Sequence, residues 1–445
     1  MMDTISGDRF FRSCLSGSAR SVRLSRSYED THKRIVWATG SDIVGPLIFL
    51  YVAWVLEEAR KRDIKRVYFL ARDGEVMLKT AKLINEYWRH DIELKYLYGS
   101  RGAWLPLALG EIGDFEFHWM TWGYLSTVSL EELCARLFIK YPILEKYFDK
   151  YGLTANGSGR NLSLSEVRLL RNCLQDKEVQ DIISDNADAR RRDALAYFEQ
   201  EGLFQETPYA VVDTGWGASS QYALSGILDK AGKYPGRGVT GFYMGASEAK
   251  QIYKNDKVIS FLFDWTKEPR DYRLSNYLFY EIFTAARHGR TIGYDGSGGE
   301  VVPVLDNTSN EMALAWGLNV QEESVLAYST VFSGHLTPEV IDFKAARTIL
   351  RKLLCMFMES PGREEADVYG KYAIGGEITE RDFNSFAPAI SHAEFWKIAL
   401  GKERFKGFWP TGTLVRSNMP VIKFMWDIVQ RFNLLYYLRK YIFKY

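Results

Sequence analysis

The sequence predicts an α/β protein with a mainly parallel, open sheet, and two segments of similar design support this prediction. Residues 67–74 and 209–221 each read as an apolar strand, a polar turn that contains glycine, and the start of a helix. Apolar strands that alternate with helices are typical of parallel sheets buried on both faces. Such sheets bind ligands where strand ends meet helix N-termini. We therefore predict that the two turns form one site, and that this site holds phosphate groups.

The first half of the chain predicts a βαβ unit followed by a helical insertion. The apolar run 43–56 is shorter than the ~20 residues that span a bilayer. We therefore predict a buried helix over 47–61, which Gly45 and Pro46 begin. The predicted elements that follow are strand 66–71, helix 75–88, strand 92–98 and a helical insertion over 105–200. Ser129 and Ser163, each with Glu three residues later, are typical of helix N-termini in that insertion.

The α/β pattern returns after the insertion and then gives way to helices. The predicted elements are strands 208–213, 239–244 and 258–263, with a helix over 218–231. We assign residues 1–38 to a flexible leader, 39–300 to one α/β catalytic domain, and 301–445 to a mainly helical C-terminal region. The tail of that region mixes Lys and Arg with apolar and aromatic residues. A basic amphipathic tail of this kind contacts an anionic membrane surface or docks on its own domain, and both readings stay open.

Composition narrows the class of protein. Of the 445 residues, 47% are hydrophobic and 25% charged, which is ordinary for an ordered globular chain. A net charge of +1 argues against nucleic acid as a partner. The four cysteines and six histidines show no metal-binding spacing, so we expect reduced thiols in a cytoplasmic protein and no protein-borne metal site. The many aromatic residues fit a core or stacking platforms for sugar rings.

Two phosphate chemistries fit the turns poorly. A haloacid-dehalogenase-like phosphatase needs an Asp nucleophile two residues before a second Asp, and Ala71 stands at that position before Asp73. Asp213 has no such partner either, because Gly215 stands two residues after it. Many nucleotide-sugar glycosyltransferases hold a metal with an Asp-x-Asp triplet, which the sequence lacks. Metal-independent types exist, so that class is less favoured but open.

A transferase that uses phosphoribosyl pyrophosphate fits the turns better. Its site must hold a 5-phosphate and orient a Mg²⁺-bound pyrophosphate leaving group. The N–H groups of residues 215–220, with the Ser219 and Ser220 hydroxyls, suit the 5-phosphate. Asp213 would hold the ribose hydroxyls. Positioning and charge stabilisation would carry most of the catalysis, because the anomeric centre becomes cationic.

The first turn suits the pyrophosphate. Arg72 would balance its charge, and Gly74 would allow close approach of the ligand. Ser100 and Arg101 follow the next strand, so we expect them at the same edge of the sheet.

Several segments resemble known families. The turns look like those of type I phosphoribosyltransferases, although that family has two adjacent acids where this chain has Asp213 and Thr214, and Trp216 interrupts the glycines. The chain more closely resembles the second module of bacterial surface-polysaccharide proteins often described as predicted haloacid-dehalogenase-type hydrolases. The resemblance covers roughly residues 40–295 and is carried by Gly45-Pro46, Phe69-Leu70-Ala71-Arg72-Asp73-Gly74, Ser100-Arg101, and Asp213-Thr214-Gly215-Trp216-Gly217 with Gln221.

The resemblance implies a fold, an activity and partners. The fold would be a type I phosphoribosyltransferase-like sheet. The activity would be transfer of ribofuranose 5-phosphate from phosphoribosyl pyrophosphate to a glycan acceptor, lipid-linked in one reading, in O-antigen or capsule biosynthesis. The donor pyrophosphate would hold most of the Mg²⁺, and a separate phosphatase would later remove the phosphate. The enzyme would be cytoplasmic, at the inner face of the membrane.

The candidate site residues fall into two groups. Those at the reaction centre are Arg72, Asp73 and Asp213. Those that would bind the donor are Gly74, Ser100, Arg101, Thr214, Gly215, Gly217, Ala218, Ser219, Ser220 and Gln221. Glu281 and His288 are weaker candidates for contact with the acceptor.

Other readings stay open from the sequence alone. In one alternative, the chain is a glycosyltransferase that uses another activated sugar. In another, it is a non-catalytic scaffold of a polysaccharide assembly complex. At the level of residues, Arg72 and Asp73 would form a structural ion pair, and Asp213 would cap the following helix.

Overall fold

A parallel sheet forms the centre of the protein, as the sequence predicts. The computed structural model describes residues 2–110, 112–122, 127–155, 157–375 and 383–431. Within these residues the sheet has five strands, β1 (Arg66–Leu70), β2 (Glu93–Leu97), β3 (Tyr209–Trp216), β4 (Thr240–Ala246) and β5 (Lys257–Asp264). They pair in the order β2-β1-β3-β4-β5, and every pair is parallel. The order reverses between β1 and β3, and an open sheet binds its ligand at such a switch point.

Helices surround this sheet and fill most of the rest of the described chain. They are α1 (Met2–Ser25), α2 (Thr31–Thr39), α3 (Gly45–Lys61), α4 (Gly74–Trp88), α5 (Arg101–Ala108), α6 (Asp114–Thr121), α7 (Leu130–Arg136), α8 (Tyr141–Lys150), α9 (Leu164–Leu174), α10 (Lys177–Gln200), α11 (Ser219–Lys230), α12 (Leu278–Phe283), α13 (Glu311–Trp316), α14 (Leu318–Ser333), α15 (Phe343–Glu359), α16 (Arg363–Gly370), α17 (His392–Ala399), α18 (Pro410–Arg416) and α19 (Pro420–Arg431). A π-helical turn, Gly40–Val44, joins α2 to α3. The predicted helical insertion corresponds to α5–α10.

Among the described residues, two antiparallel strand pairs lie outside the central sheet. Strand β6 (Thr291–Asp295) pairs with β7 (Val302–Leu305), and β8 (Ala373–Gly375) pairs with β9 (Phe383–Ser385). The predicted mainly helical region 301–445 therefore also contains short strands.

Alternate residues of each strand pack on opposite faces of the sheet. Val67 and Phe69 of β1 belong to one apolar cluster, whereas Tyr68 and Leu70 belong to another. All five residues of β1 are buried. Burial on both faces is expected where helices cover both sides of a parallel sheet, and it explains why the strands read as continuous apolar runs.

Helix α3 is the centre of the first cluster. Residues 47–53 are wholly buried, which confirms the predicted buried helix. The continuous helix Thr31–Lys61 is, among the described residues, the one helix long and apolar enough to cross a membrane, yet 83% of its most apolar window is buried inside the protein. A core helix of this kind passes the same test, so it is weak evidence for a membrane span.

The N-terminal residues differ from the predicted flexible leader. Phe11, Leu15, Ala19 and Val22 of α1 are buried and belong to the same cluster as α3. They follow one another at intervals of three or four residues, which is one face of a helix. The Ser- and Arg-rich composition of this segment concealed that spacing.

The predicted boundary at residue 300 also does not separate two cores. It falls between β6 and β7, and the α3 cluster includes Phe332, Leu354 and Trp409 from beyond the boundary. Since α3 is apolar on nearly all sides, the sheet alone cannot cover it. Helices α14 and α15 pack against its other side.

Candidate active site

The two predicted turns lie side by side at the carboxyl edge of the sheet. Strands β1 and β3 are direct neighbours, with Phe69 opposite Val212. The hydroxyl of Thr214 donates a short hydrogen bond to the Asp73 carboxylate. The backbone N–H of Thr214 donates to Asp213 Oδ1 over 2.8 Å. The structure thus brings Asp73, Asp213 and Thr214 together, with one side chain joining the two turns.

The two carboxylates repel each other in a buried setting. Burial, and next the charge of Asp73, raise the pKa of Asp213 to about 8, and Glu281 adds to the effect. Burial also raises the pKa of Asp73, against the hydroxyl of Thr214 and the charge of Arg72. Interacting acids titrate as a pair. Near neutral pH this pair therefore retains a proton, and its ionised form is stabilised by a cation or by hydroxyl donors.

The end of β3 and the two residues that follow it have an unusual backbone. Gly215 has φ +124°, Trp216 +68° and Ala218 +51°. A Cβ on Gly215 would collide with the carbonyl oxygen of Gly245 in β4. A Cβ on Gly217 would meet no atom within 4 Å. Gly215 is therefore needed to build the turn, whereas Gly217 leaves open space beside it.

Helix α11 begins directly after this turn. Within the described residues, no side chain caps its first turn, and the hydroxyls of Ser219 and Ser220 have no hydrogen-bond partner there. The N–H groups of a first helical turn have no intrahelical acceptor, and the helix dipole makes this end positive. The half-buried serines and the helix end therefore form an anion-favouring concavity near Asp213.

Gln221 lies in the same helical turn but serves the core. Its side-chain nitrogen donates to the Val239 carbonyl over 2.9 Å, and its side-chain oxygen accepts from the Tyr243 hydroxyl over 2.8 Å. Gln221 is 1% exposed. These contacts hold α11 against β4, so they support a positioning role.

Backbone packing requires glycine at position 74, a role that sequence reasoning missed. A Cβ at this position would lie 2.6 Å from the carbonyl carbon of Phe69. The glycine thus lets α4 start close to its own strand, and the predicted close approach of a ligand at Gly74 stays a prediction. Arg72, half-buried in the same turn, contributes positive charge beside Asp73.

Ser100 and Arg101 follow β2 at the same edge of the sheet. The Ser100 hydroxyl accepts from the Ala103 N–H over 2.9 Å and donates to the Thr291 carbonyl over 2.7 Å. Ser100 therefore caps α5 and fixes the β6 strand. Arg101 is exposed at the start of α5.

The two weaker acceptor candidates both lie near the site. Glu281 acts on Asp213 as described above, from helix α12. His288 Nε2 lies 2.8 Å from the Tyr96 hydroxyl, which in turn donates to the Arg72 carbonyl over 3.3 Å. His288 thus lies beside the first turn.

Sequence reasoning missed Tyr51, a residue that supports the site from below. Its hydroxyl lies 2.9 Å from the Asp213 carbonyl oxygen and 2.7 Å from that of Phe242. Tyr51 is wholly buried in α3. The sequence around a single Tyr in an apolar helix gives no indication of this role.

Buried aromatic side chains support Trp216, which is half-buried next to the second turn. Trp216 stacks on Phe263 with ring centroids 5.1 Å apart and on Trp265 at 5.6 Å. Tyr280 meets the Trp216 ring edge-on at 5.2 Å. Phe263, Trp265 and Tyr280 are core residues, as one of the two readings of the aromatic content predicts, and a stacking role for Trp216 stays a prediction.

A separate groove of about 480 Å³ lies at the far end of α11, lined in part by Arg191, Arg192 and Lys230. Lys230 is the last residue of that 12-residue helix, so the groove is about 18 Å from the site along the helix axis. Arg191 already donates to the Leu107 carbonyl over 2.8 Å. This groove is therefore separate from the two turns.

No model of a known protein family matches the chain, and a search of curated proteins gives no match. Function must therefore be inferred from the geometry of this site.

Proposed function

We propose that this chain transfers ribofuranose 5-phosphate from phosphoribosyl pyrophosphate to a glycan acceptor. One observation carries the proposal: two half-buried carboxylates, Asp73 and Asp213, are bridged by Thr214 at the switch point of a parallel sheet, shortly before the uncapped start of α11. A phosphosugar donor needs an anion site and hydroxyl acceptors at the same place. The type I phosphoribosyltransferase-like fold is part of this proposal.

The 5-phosphate is assigned to the turn between Gly217 and Ser220. The open side of Gly217 lets an oxygen approach the backbone, and the Ser219 and Ser220 hydroxyls are free to donate within the described residues. Asp213 lies within β3, six residues before the start of α11, and accepts the ribose hydroxyls. Such hydrogen bonds favour the ionised carboxylate and offset its raised pKa.

The pyrophosphate is assigned to the first turn. Arg72 lies there beside Asp73, and Arg101 is exposed at the same sheet edge. Among the described residues no group of three His, Cys, Asp or Glu side chains could hold a metal ion. Mg²⁺ is commonly bound by one or two carboxylates together with substrate phosphates, and Asp73 and Asp213 fit that requirement. When bound, Mg²⁺ neutralises charge on the leaving pyrophosphate.

The reaction breaks the bond from ribose C1 to the pyrophosphate oxygen and forms one from C1 to an acceptor hydroxyl oxygen. The bonding electron pair leaves with pyrophosphate, and the acceptor hydroxyl loses its proton. An ionised Asp73–Asp213 pair stabilises the positive charge that develops at C1 and takes up that proton. Uptake of the proton returns the pair to the protonated form that burial favours in the ligand-free protein.

The acceptor is assigned to the ring of Trp216. This half-buried ring offers an apolar face of the kind that sugar rings pack against, and the buried rings of Phe263 and Trp265 stack on it and hold it in place. A cell-surface glycan, lipid-linked at the inner face of the membrane, is the acceptor proposed. A separate phosphatase would remove the 5-phosphate from the product.

The test is direct. Purified protein is titrated with phosphoribosyl pyrophosphate and Mg²⁺ by calorimetry, beside a panel of sugar nucleotides. We expect saturable binding of phosphoribosyl pyrophosphate alone, and pyrophosphate release once a glycan acceptor is added. Binding of a sugar nucleotide instead would favour the other transferase class.

The scaffold alternative makes a different prediction in cells. Glycan production that survives both Asp213→Ala and Arg72→Ala, with normal protein levels, would overturn a catalytic role.

A further inference from the structure

Helix α19 exposes its apolar face to solvent, whereas an ordinary surface helix buries that face against the core. Its apolar residues Val421, Phe424, Met425 and Ile428 are spaced i, i+3, i+4, i+7, so they lie on one face. These side chains are 71%, 66%, 50% and 41% exposed. A stripe of this spacing normally faces the core, so here it requires a separate explanation.

The opposite face of α19 is held by polar contacts. Lys423 Nζ donates to the Glu359 carbonyl at the end of α15 over 3.0 Å and pairs with Asp427 over 2.6 Å. The Lys423 side chain is only 19% exposed. The helix is therefore fixed in an orientation that presents its apolar face outwards.

From these observations we infer that the exposed face of α19 binds an anionic lipid bilayer. Contiguous exposed apolar surface marks an interaction site. The charge of the adjoining sequence selects the partner, because residues 429–445 contain four basic side chains, Arg431, Arg439, Lys440 and Lys444, and neither Asp nor Glu. Those cations would attract anionic headgroups and would repel a second copy of the same tail.

The composition of the same sequence fits the bilayer interface. Residues 429–445 include four Tyr and two Phe between the cations. Aromatic side chains favour the headgroup level, and a helix with an apolar face inserts that face shallowly. Residues 432–445 lie outside the described structure, so the inference rests on the face of α19 and on the charge of the following sequence. It does not depend on the transferase proposal.

Vesicle sedimentation tests the inference. The full chain is mixed with vesicles of phosphatidylcholine, with and without phosphatidylglycerol, at low and high salt. We expect binding only to the anionic vesicles, weakened by salt. Phe424→Gln combined with Ile428→Gln should reduce this binding on the order of tenfold or more.

A matched control replaces Leu164, which is 64% exposed on α9. Leu164→Gln should leave vesicle binding unchanged, and both variants should keep the thermal unfolding midpoint of the parent because the replaced side chains are exposed. Absence of binding to anionic vesicles, or equal binding by the Phe424/Ile428 variant, would overturn the inference.

Two other occupants of the face give distinct results. A dimer in light scattering that the Phe424/Ile428 variant converts to a monomer would show that a second copy covers the face. Vesicle binding that appears only after removal of residues 432–445 would show that the tail covers it. Either result would overturn the inference.

Discussion

The turns after β1 and β3 look alike in sequence, but the chain fills the space beside them differently. In the first turn, a Cβ added to Gly74 would collide with the backbone of Phe69. In the second, Gly215 faces the backbone of Gly245, whereas Gly217 faces open space. The glycines of the two turns therefore have different roles. Gly74 and Gly215 allow close backbone packing, and Gly217 leaves space that a ligand could occupy.

The largest effect is expected from Gly215→Ala. Its backbone angle is strained for any residue with a Cβ, and the new methyl would strike the Gly245 carbonyl. We expect a loss of about 3 kcal/mol or more in the free energy of unfolding, measured by urea denaturation. Gly217→Ala is the matched control and should change that free energy by about 1 kcal/mol or less. Equal losses in both variants would remove the distinction between the two glycines.

Asp213→Asn should weaken donor binding while removing the repulsion with Asp73. Loss of charge-assisted hydrogen bonds should raise the Kd for phosphoribosyl pyrophosphate on the order of tenfold to a hundredfold, measured by calorimetry. Asp63→Asn is the control, since that carboxylate is 83% exposed at the other end of β1. Unchanged donor affinity in Asp213→Asn would contradict its assignment to the ribose hydroxyls.

The same variant should alter how stability depends on pH. The pKa of Asp213 is about 8 in the folded protein, above its ordinary value of 3.8. The folded state therefore binds the extra proton, and this stabilising contribution is lost as pH rises through 8. We expect the thermal midpoint of the parent protein to fall between pH 6 and pH 9 by more than that of Asp213→Asn. Parallel profiles for the two proteins would argue against the raised pKa.

Gly217→Ala should have the smallest effect, confined to the ligand. A methyl group beside the open backbone would crowd a bound phosphate and raise the donor Kd by roughly tenfold. Gly236→Ala is the control, because its Cβ also meets no atom within 4 Å and it lies in a loop away from the turns. If the Gly217 variant binds donor as tightly as the parent, the 5-phosphate does not lie beside this glycine.

The sheet could be predicted because an apolar strand followed by a glycine-bearing turn and a helix is a local pattern that recurs along the sequence. Strand β1 is buried on both faces and reads as an apolar run, whereas the edge strand β2 is largely half-buried and carries Glu93 and Lys95. The pairing of Asp73 with Asp213 followed from the rule that carboxyl ends of parallel strands share one edge. What stayed hidden depended on contacts distant in sequence. Tyr51 reaches Asp213 across 162 residues, and no local pattern reports such a contact.

The prediction of a flexible leader overlooked helix α1 for a related reason. The buried residues of α1 are few and separated by Ser and Arg, so composition outweighed spacing. Their partners lie far along the chain, as with Phe11, whose ring lies 6.5 Å from that of Phe332. A helix that depends on a late partner looks unstructured when only its neighbours are considered.

This arrangement constrains the order of events during synthesis. Phe279 packs edge-on against Trp409, with ring centroids 4.9 Å apart, and Trp409 is 2% exposed. Until Trp409 has left the exit tunnel, the helices over one face of the sheet lack part of their cover. The nascent chain therefore exposes apolar surface during that interval, and surface of this kind makes partly folded chains prone to aggregation.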